Sequence, residues 1–121
     1  MRPVRTILLV DDDIRLLAAM DDALERDGLN CYRATCPSEA IELAQSHQFD
    51  ATILDMFLGS RTGLETLVEL RAIHQSMAAI LISGHLTAEI RAEAKSLGVN
   101  CLLDKPIELA DLRRAILSLT V

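Results

Sequence analysis

The sequence predicts an open α/β fold: a doubly wound, five-stranded parallel sheet with helices on both faces. Three observations carry that prediction. Short continuous apolar runs alternate five times with amphipathic stretches. Only a few residues join one to the next, as in a parallel sheet wound on both faces. The chain has 121 residues, well short of the roughly 250 that an eight-fold barrel requires. A strand order of 2-1-3-4-5 with five helices is the economical arrangement that remains.

Thr6 to Val10 is a continuous apolar run, expected of a strand buried on both faces. Ile14, Leu17, Met20 and Leu24 then recur at spacings of three and four, the stripe of an amphipathic helix that Gly28 ends. Asn30 to Ala34 is a short second strand. Pro37 opens a helix bearing Ala40, Ile41 and Ala44, because proline in a first turn loses no needed N–H. Ala51 to Leu54 is the third strand, and Gly63 to Ile73 the third helix, with Leu64, Leu67 and Val68 inward. Ala79 to Ile82 is the fourth strand. A helix from Thr87 to Leu97 carries Ile90, Ala94 and Leu97, and Gly98 closes it. Asn100 to Leu103 is the fifth strand, and Leu109, Leu112, Ile116 and Leu119 stripe the last helix. No repeat or linker divides residues 1–121, which read as one domain.

Composition narrows the function. Half the residues are apolar and a quarter charged, which excludes disorder. The longest apolar run, Met77 to Ile82, is far below the roughly 20 residues of a membrane span. The apolar stretch near the N-terminus is too short for a signal peptide, so a cytoplasmic protein without membrane contact is expected. A net charge of −6 repels phosphate backbones. Three aromatic residues, Tyr32, Phe49 and Phe57, supply no base-stacking platform, so direct nucleic-acid binding is not expected. Cys31, Cys36 and Cys101 are odd in number and lack paired spacing, which reads as buried or idle thiols in a reducing cytosol rather than a disulfide framework or zinc site.

What ends each strand is more informative. The first runs into Asp11, Asp12 and Asp13, the third into Asp55, the fourth into Ser83, and the fifth into Asp104, Lys105 and Pro106. In an open α/β sheet the carboxyl ends of the strands share one edge, and ligands bind where the strand order reverses. That crevice lies between strands 1 and 3, so Asp11 and Asp12 should face Asp55. Asp13 alone reads as a helix cap. Three carboxylates against the Lys105 ammonium leave two negative charges, which one divalent cation cancels. An all-oxygen set with room for water and phosphate suits Mg²⁺, whereas zinc would want His or Cys. A carboxylate attacking phosphorus gives an acyl phosphate, and Mg²⁺, Lys105 and the Ser83 hydroxyl suit the three phosphoryl oxygens. His47, His74 and His85 show no metal-binding spacing.

Ile-Leu-Leu-Val-Asp-Asp-Asp, Leu-Asp-Met with Gly63 eight residues past Asp55, Ile-Ser-Gly and Asp-Lys-Pro together resemble the receiver domain of two-component response regulators, from Thr6 to Leu119. That family has the five-stranded, flavodoxin-like fold argued above. The resemblance implies that Asp55 is the phosphoacceptor, charged by a histidine kinase or a histidine phosphotransfer protein. It implies that Asp12 binds Mg²⁺ directly, Asp11 assists through water, and the Phe57 backbone carbonyl completes the protein ligands. Ser83 matches the switch hydroxyl and Lys105 the lysine that contacts the phosphoryl group. Phosphorylation would then bias the face formed by helix 4, strand 5 and helix 5 toward an output partner.

Several positions depart from the family pattern. Gly59 stands where proline is frequent, which loosens that loop, and Gly84 where alanine is usual. Leu102 replaces a common Tyr or Phe, so inward rotation of an aromatic ring cannot operate. Leu102 then either repacks in that role or is simply a core side chain. Phe57 and His85, two residues beyond Asp55 and Ser83, are positioned to gate water or to be loop surface. A bulky Phe57 would exclude the in-line water and prolong an acyl phosphate. Output is expected through an output protein or an output domain in a longer chain. Two other functions remain open: a phosphate-insensitive binding module, which Leu102 keeps alive, and an aspartate-nucleophile phosphatase, which would want an acid where Phe57 stands.

Overall fold

A computed structural model describes residues 1–121. The strands are β1 (Thr6–Val10), β2 (Asn30–Ala34), β3 (Ala51–Asp55), β4 (Ala78–Ser83) and β5 (Cys101–Asp104). Between and after them lie α1 (Ile14–Arg26), α2 (Pro37–Ser46), α3 (Gly63–Ile73), α4 (Ala88–Ser96) and α5 (Leu109–Leu117). The strands pair in parallel in the order β2-β1-β3-β4-β5, as the sequence predicts. Alternating side chains of each strand feed two cores. Leu8, Val10, Leu54 and Leu81 pack with Ala40, Leu64, Leu67 and Ala94 of α2, α3 and α4. Ile7, Leu9, Ile53 and Ile80 pack with Leu17, Met20, Leu112 and Ile116 of α1 and α5. A sheet covered on both faces is why its strands read as unbroken apolar runs. No helix is long and apolar enough to cross a membrane.

Local chemistry sets the element ends. The Asp13 carboxylate caps α1 by accepting from the backbone N–H groups of Arg15 and Leu16, at 3.0 and 3.2 Å. Thr62 and Glu65 form a reciprocal capping box at the start of α3. Gly28 and Gly98, with φ of 82° and 69°, follow the ends of α1 and α4. The Lys105–Pro106 peptide bond is cis.

The structure corrects the sequence reading in three places. Ile14 and Leu109 are exposed, at 68% and 37%, because each begins its helix, α1 or α5, before that helix has turned onto the sheet. Val68 is also exposed, and Thr66 takes the inward position instead. Thr66 is tolerated there because its hydroxyl donates to the Thr62 carbonyl at 2.9 Å, leaving only its methyl to be packed. Finally, the loop after β3 is not loose. Phe57–Leu58 pairs antiparallel with Arg61–Thr62 in a two-stranded ribbon turned by Gly59 and Ser60. Gly59 has φ of +72°, which proline cannot adopt and which a tight hairpin wants at its first central position.

Candidate functional site

Strand register builds the site. Val10 lies opposite Leu54, which sets Asp11 beside Asp55. Asp55 lies opposite Ile82, and Ser83 opposite Asp104, so Ser83 and Lys105 follow on adjacent strands. The first backbone steps beyond the strands stay tied to their neighbours. Asp11 N–H donates to the Ala34 carbonyl at 3.1 Å, Met56 N–H to Ile82 at 2.8 Å, and Lys105 N–H to Ser83 at 3.0 Å. The polar side chains therefore stand on the rigid rim of the sheet rather than on free loops.

A second restraint acts on Asp55 from α3. Gly63 N–H donates to the Met56 carbonyl at 2.7 Å. A Cβ placed on Gly63 would lie 2.3 Å from the Asp55 carbonyl oxygen and 3.1 Å from Leu81 Cδ1. Only a residue without a side chain lets α3 begin this close to the strand end.

Asp11, Asp12 and Asp55 each bring a carboxylate oxygen within 4.8 Å of the others. Lys105 Nζ lies 3.2 Å from Asp11 Oδ2 and 3.3 Å from Asp55 Oδ2. Asp11 and Asp55 are buried, whereas Asp12 is exposed. Burial, reinforced by repulsion from Asp11, raises the Asp55 pKa above the usual carboxylate value, against the pull of Lys105. Burial likewise raises Asp11. Burial works to lower Lys105, but the two carboxylates outweigh it and hold its ammonium above its ordinary pKa.

The cluster fits a small hard cation. Asp11 Oδ1 accepts from Asp13 N–H at 2.8 Å, but the buried Oδ2 has no hydrogen-bond partner. The Lys105 ammonium is near enough to attract that oxygen without being aligned to donate to it. A buried carboxylate oxygen without a hydrogen bond is costly unless something else, here a cation, binds it. The donors are all oxygens, which selects Mg²⁺-like chemistry.

The other predicted residues flank this centre. Ser83 is fully buried, and its Oγ accepts from His85 N–H at 3.0 Å. The His85 side chain is exposed, and Phe57 is 53% exposed. Leu102 lies opposite Leu81 and packs half-buried against the core under α2, α3 and α4. His74 sits elsewhere, its Nε2 between the Ala44 and His47 carbonyls at 2.7 and 2.9 Å. A hollow of about 400 Å³, lined by Arg2, Asp50 and His74, opens near the start of β3 and includes none of Asp11, Asp12 and Asp55.

Comparison with known proteins decides the family. The response regulator receiver domain profile matches residues 7–117. The chain belongs to that family. This receiver domain is 31% identical over 109 residues to the alginate biosynthesis transcriptional regulatory protein AlgB of Pseudomonas aeruginosa. The match covers 90% of the chain but 24% of that relative, so the chain spans about a quarter of its length. It is 23% identical to the sporulation initiation phosphotransferase F of Bacillus subtilis, covering 91% of the chain and 89% of that protein. Among solved structures, a CheY-like receiver domain from Methanospirillum hungatei superposes with a TM-score of 0.87 at 25% identity. That match covers 93% of this chain and 90% of the other. The receiver domain therefore belongs to two-component signalling.

Proposed function

We propose that this receiver domain is a phosphorylation-controlled switch in which Asp55 accepts a phosphoryl group from a histidine kinase or histidine phosphotransfer protein. The observation that carries the reading is Asp55 itself. It is buried at a strand end beside Asp11 Oδ2, which accepts no hydrogen bond, with Lys105 Nζ 3.3 Å away. Mg²⁺ held by Asp11, Asp12, Asp55 and the Phe57 carbonyl would neutralise charge on the phosphoryl oxygens. An Asp55 carboxylate oxygen attacks phosphorus, the P–N bond to the donor imidazole breaks, and the imidazole keeps the electron pair and takes up a proton. Lys105 stabilises one equatorial oxygen. Ser83 Oγ is free to donate its proton to another, since its present bond from His85 uses it as acceptor. Phe57, two residues past Asp55 and half-exposed, would exclude water from the acyl phosphate if its ring covers the site.

The acidic surface argues for output by contact with a protein or a covalently joined output domain rather than with nucleic acid. A cytoplasmic setting with a kinase partner follows from the same reading. The decisive experiment is incubation with a small phosphodonor and Mg²⁺, followed by intact-mass analysis of wild type and Asp55→Ala. One phosphoryl adduct on wild type alone is expected; an equal adduct on Asp55→Ala, or none on either, defeats the assignment.

Leu102, standing where an aromatic ring is common, keeps one second reading in view, a binding module indifferent to phosphate. Partner affinity with and without beryllofluoride separates the two, since a switch must change affinity and an indifferent module must not.

A further inference from the structure

Helix α4 is hydrogen-bonded to other elements at its C-terminal end only, while near its other end Ile90 packs half-buried on the core without such bonds. Of its nine residues, Ala94 alone is buried. Its N-terminal approach makes only local bonds: His85 N–H to Ser83 Oγ, Thr87 N–H to the His85 carbonyl, and Ile90 N–H to the Thr87 hydroxyl cap. Its C-terminal end is different. Val99 N–H returns to the Ala94 carbonyl and Gly98 N–H to Lys95, which closes the helix. The next residues are tied to β4 by Asn100, whose N–H donates to the Ala79 carbonyl and whose Oδ1 accepts from Ala79 N–H, both at 2.9 Å.

The carbonyls left over at that end are taken by a side chain from another helix. Arg71, half-buried in the last turn of α3, donates from Nη1 to the Leu97 carbonyl and from Nη2 to Gly98 at 3.4 Å. Its Nε donates to the Met77 carbonyl at 3.1 Å, just before β4. One rigid guanidinium thus joins the end of α3, the approach to β4 and the end of α4.

We propose that Arg71 makes the C-terminal end of α4 a fixed pivot, so that a change at Ser83 moves the N-terminal half of the helix and leaves the other half in place. This rests on the switch reading of Asp55 and Ser83. The chemistry enters at the N-terminal end, because Ser83 Oγ accepts a hydrogen bond from the backbone of His85, the second residue of the loop into α4. A rotation of Ser83 toward a phosphoryl oxygen strains or breaks that bond. The helix acts as a lever about 13 Å long at its ordinary rise per residue. Ala88, Glu89 and Arg91, all exposed, are then the groups whose positions report the state, while Lys95 and Ser96 stay still. A partner that discriminates the two states does so at the N-terminal half of α4.

Hydrogen exchange, resolved by peptide, tests this on wild type, Arg71→Met and Arg71→Lys, each with Mg²⁺ alone and with Mg²⁺ plus beryllofluoride. Fluorine NMR scores whether beryllofluoride has bound. In wild type, bound beryllofluoride should alter exchange over residues 84–91 and leave 94–100 unchanged. Without beryllofluoride, Arg71→Met should speed exchange over 94–100 by about tenfold, the loss expected for charged hydrogen bonds, with Arg71→Lys in between. With it, 94–100 of Arg71→Met should respond as 84–91 does. A wild-type response spread evenly along α4, or unchanged exchange over 94–100 in Arg71→Met, overturns the pivot. If beryllofluoride fails to bind wild type, the phosphoacceptor reading falls instead, and the comparison without it still judges the Arg71 clamp.

Discussion

Adding a single methyl group at Gly63 should damage both stability and phosphoryl acceptance. The Cβ of Gly63→Ala would fall 2.3 Å from the Asp55 carbonyl oxygen. That is roughly 1 Å inside the closest ordinary carbon–oxygen contact of about 3.3 Å. The obstructing atom is backbone within a sheet strand, so it cannot rotate away, and either α3 or the end of β3 must shift. Overpacking of this kind costs about 1–3 kcal/mol. For a domain of this size that lowers Tm by roughly 3–15 °C. A displacement of about 1 Å at the Asp55 main chain should also slow acceptance from a small phosphodonor on the order of a hundredfold. Thermal unfolding and a time course of the intact-mass adduct read the two effects. Gly84→Ala is the matched control, one residue from Ser83. Its Cβ would meet nothing nearer than Lys105 Cβ at 3.8 Å, so Tm should stay level or rise with a gain of about 0.4–1 kcal/mol. Unchanged Tm and an unchanged acceptance rate in Gly63→Ala would show that the close approach does not position Asp55.

Three further outcomes are expected. Mg²⁺ at about 100 times its Kd should stabilise the folded protein by about 2.7 kcal/mol, and Asp11→Asn should shrink that shift in thermal unfolding; a shift kept intact in Asp11→Asn would remove Asp11 from the cation site. Phe57→Asn should shorten the half-life of the phosphorylated protein several-fold, measured by loss of the mass adduct, and a half-life equal to wild type or longer refutes the shielding role. Although burial opposes it, the Arg2 guanidinium and the N–H groups of Arg5 and Thr6 hold the Asp50 carboxyl below its ordinary pKa of 3.8. A depressed folded pKa contributes stability above the unfolded value that is lost as pH falls through the folded one. Wild type should therefore lose more stability below pH 3.8 than Asp50→Asn does, read from denaturant midpoints; parallel pH profiles would refute it.

Most of the fold is legible in the sequence because its determinants are local. A strand covered on both faces must be apolar throughout, so each run announces itself, and short connections leave little choice of topology. Strand limits were off by a single residue at most: β3 runs on to Asp55, β4 from Ala78 to Ser83, and β5 from Cys101 to Asp104. The meeting of Asp11, Asp12, Asp55 and Lys105 follows from the strand order once polar residues are seen at the strand ends. Gly63 is visible as part of a motif, but its reason is not: the constraint is a contact with a strand eight residues earlier.

What the sequence by itself determined is periodicity and placement, the five strands and which charged residues reach their carboxyl rim. Only the tertiary structure decided how those groups are paired. It turned Thr66 inward and Val68 outward through one hydroxyl bonding its own helix. It folded Phe57–Thr62 into a ribbon, left Asp11 Oδ2 without a hydrogen bond, and carried Arg71 to carbonyls 26 and 27 residues away. The Asp11 and Arg71 arrangements depend on distances and directions between atoms remote in the chain. Residue spacing sets the face of most side chains; exceptions such as Thr66 and Val68, and the partner each group meets, are set only when the layers close.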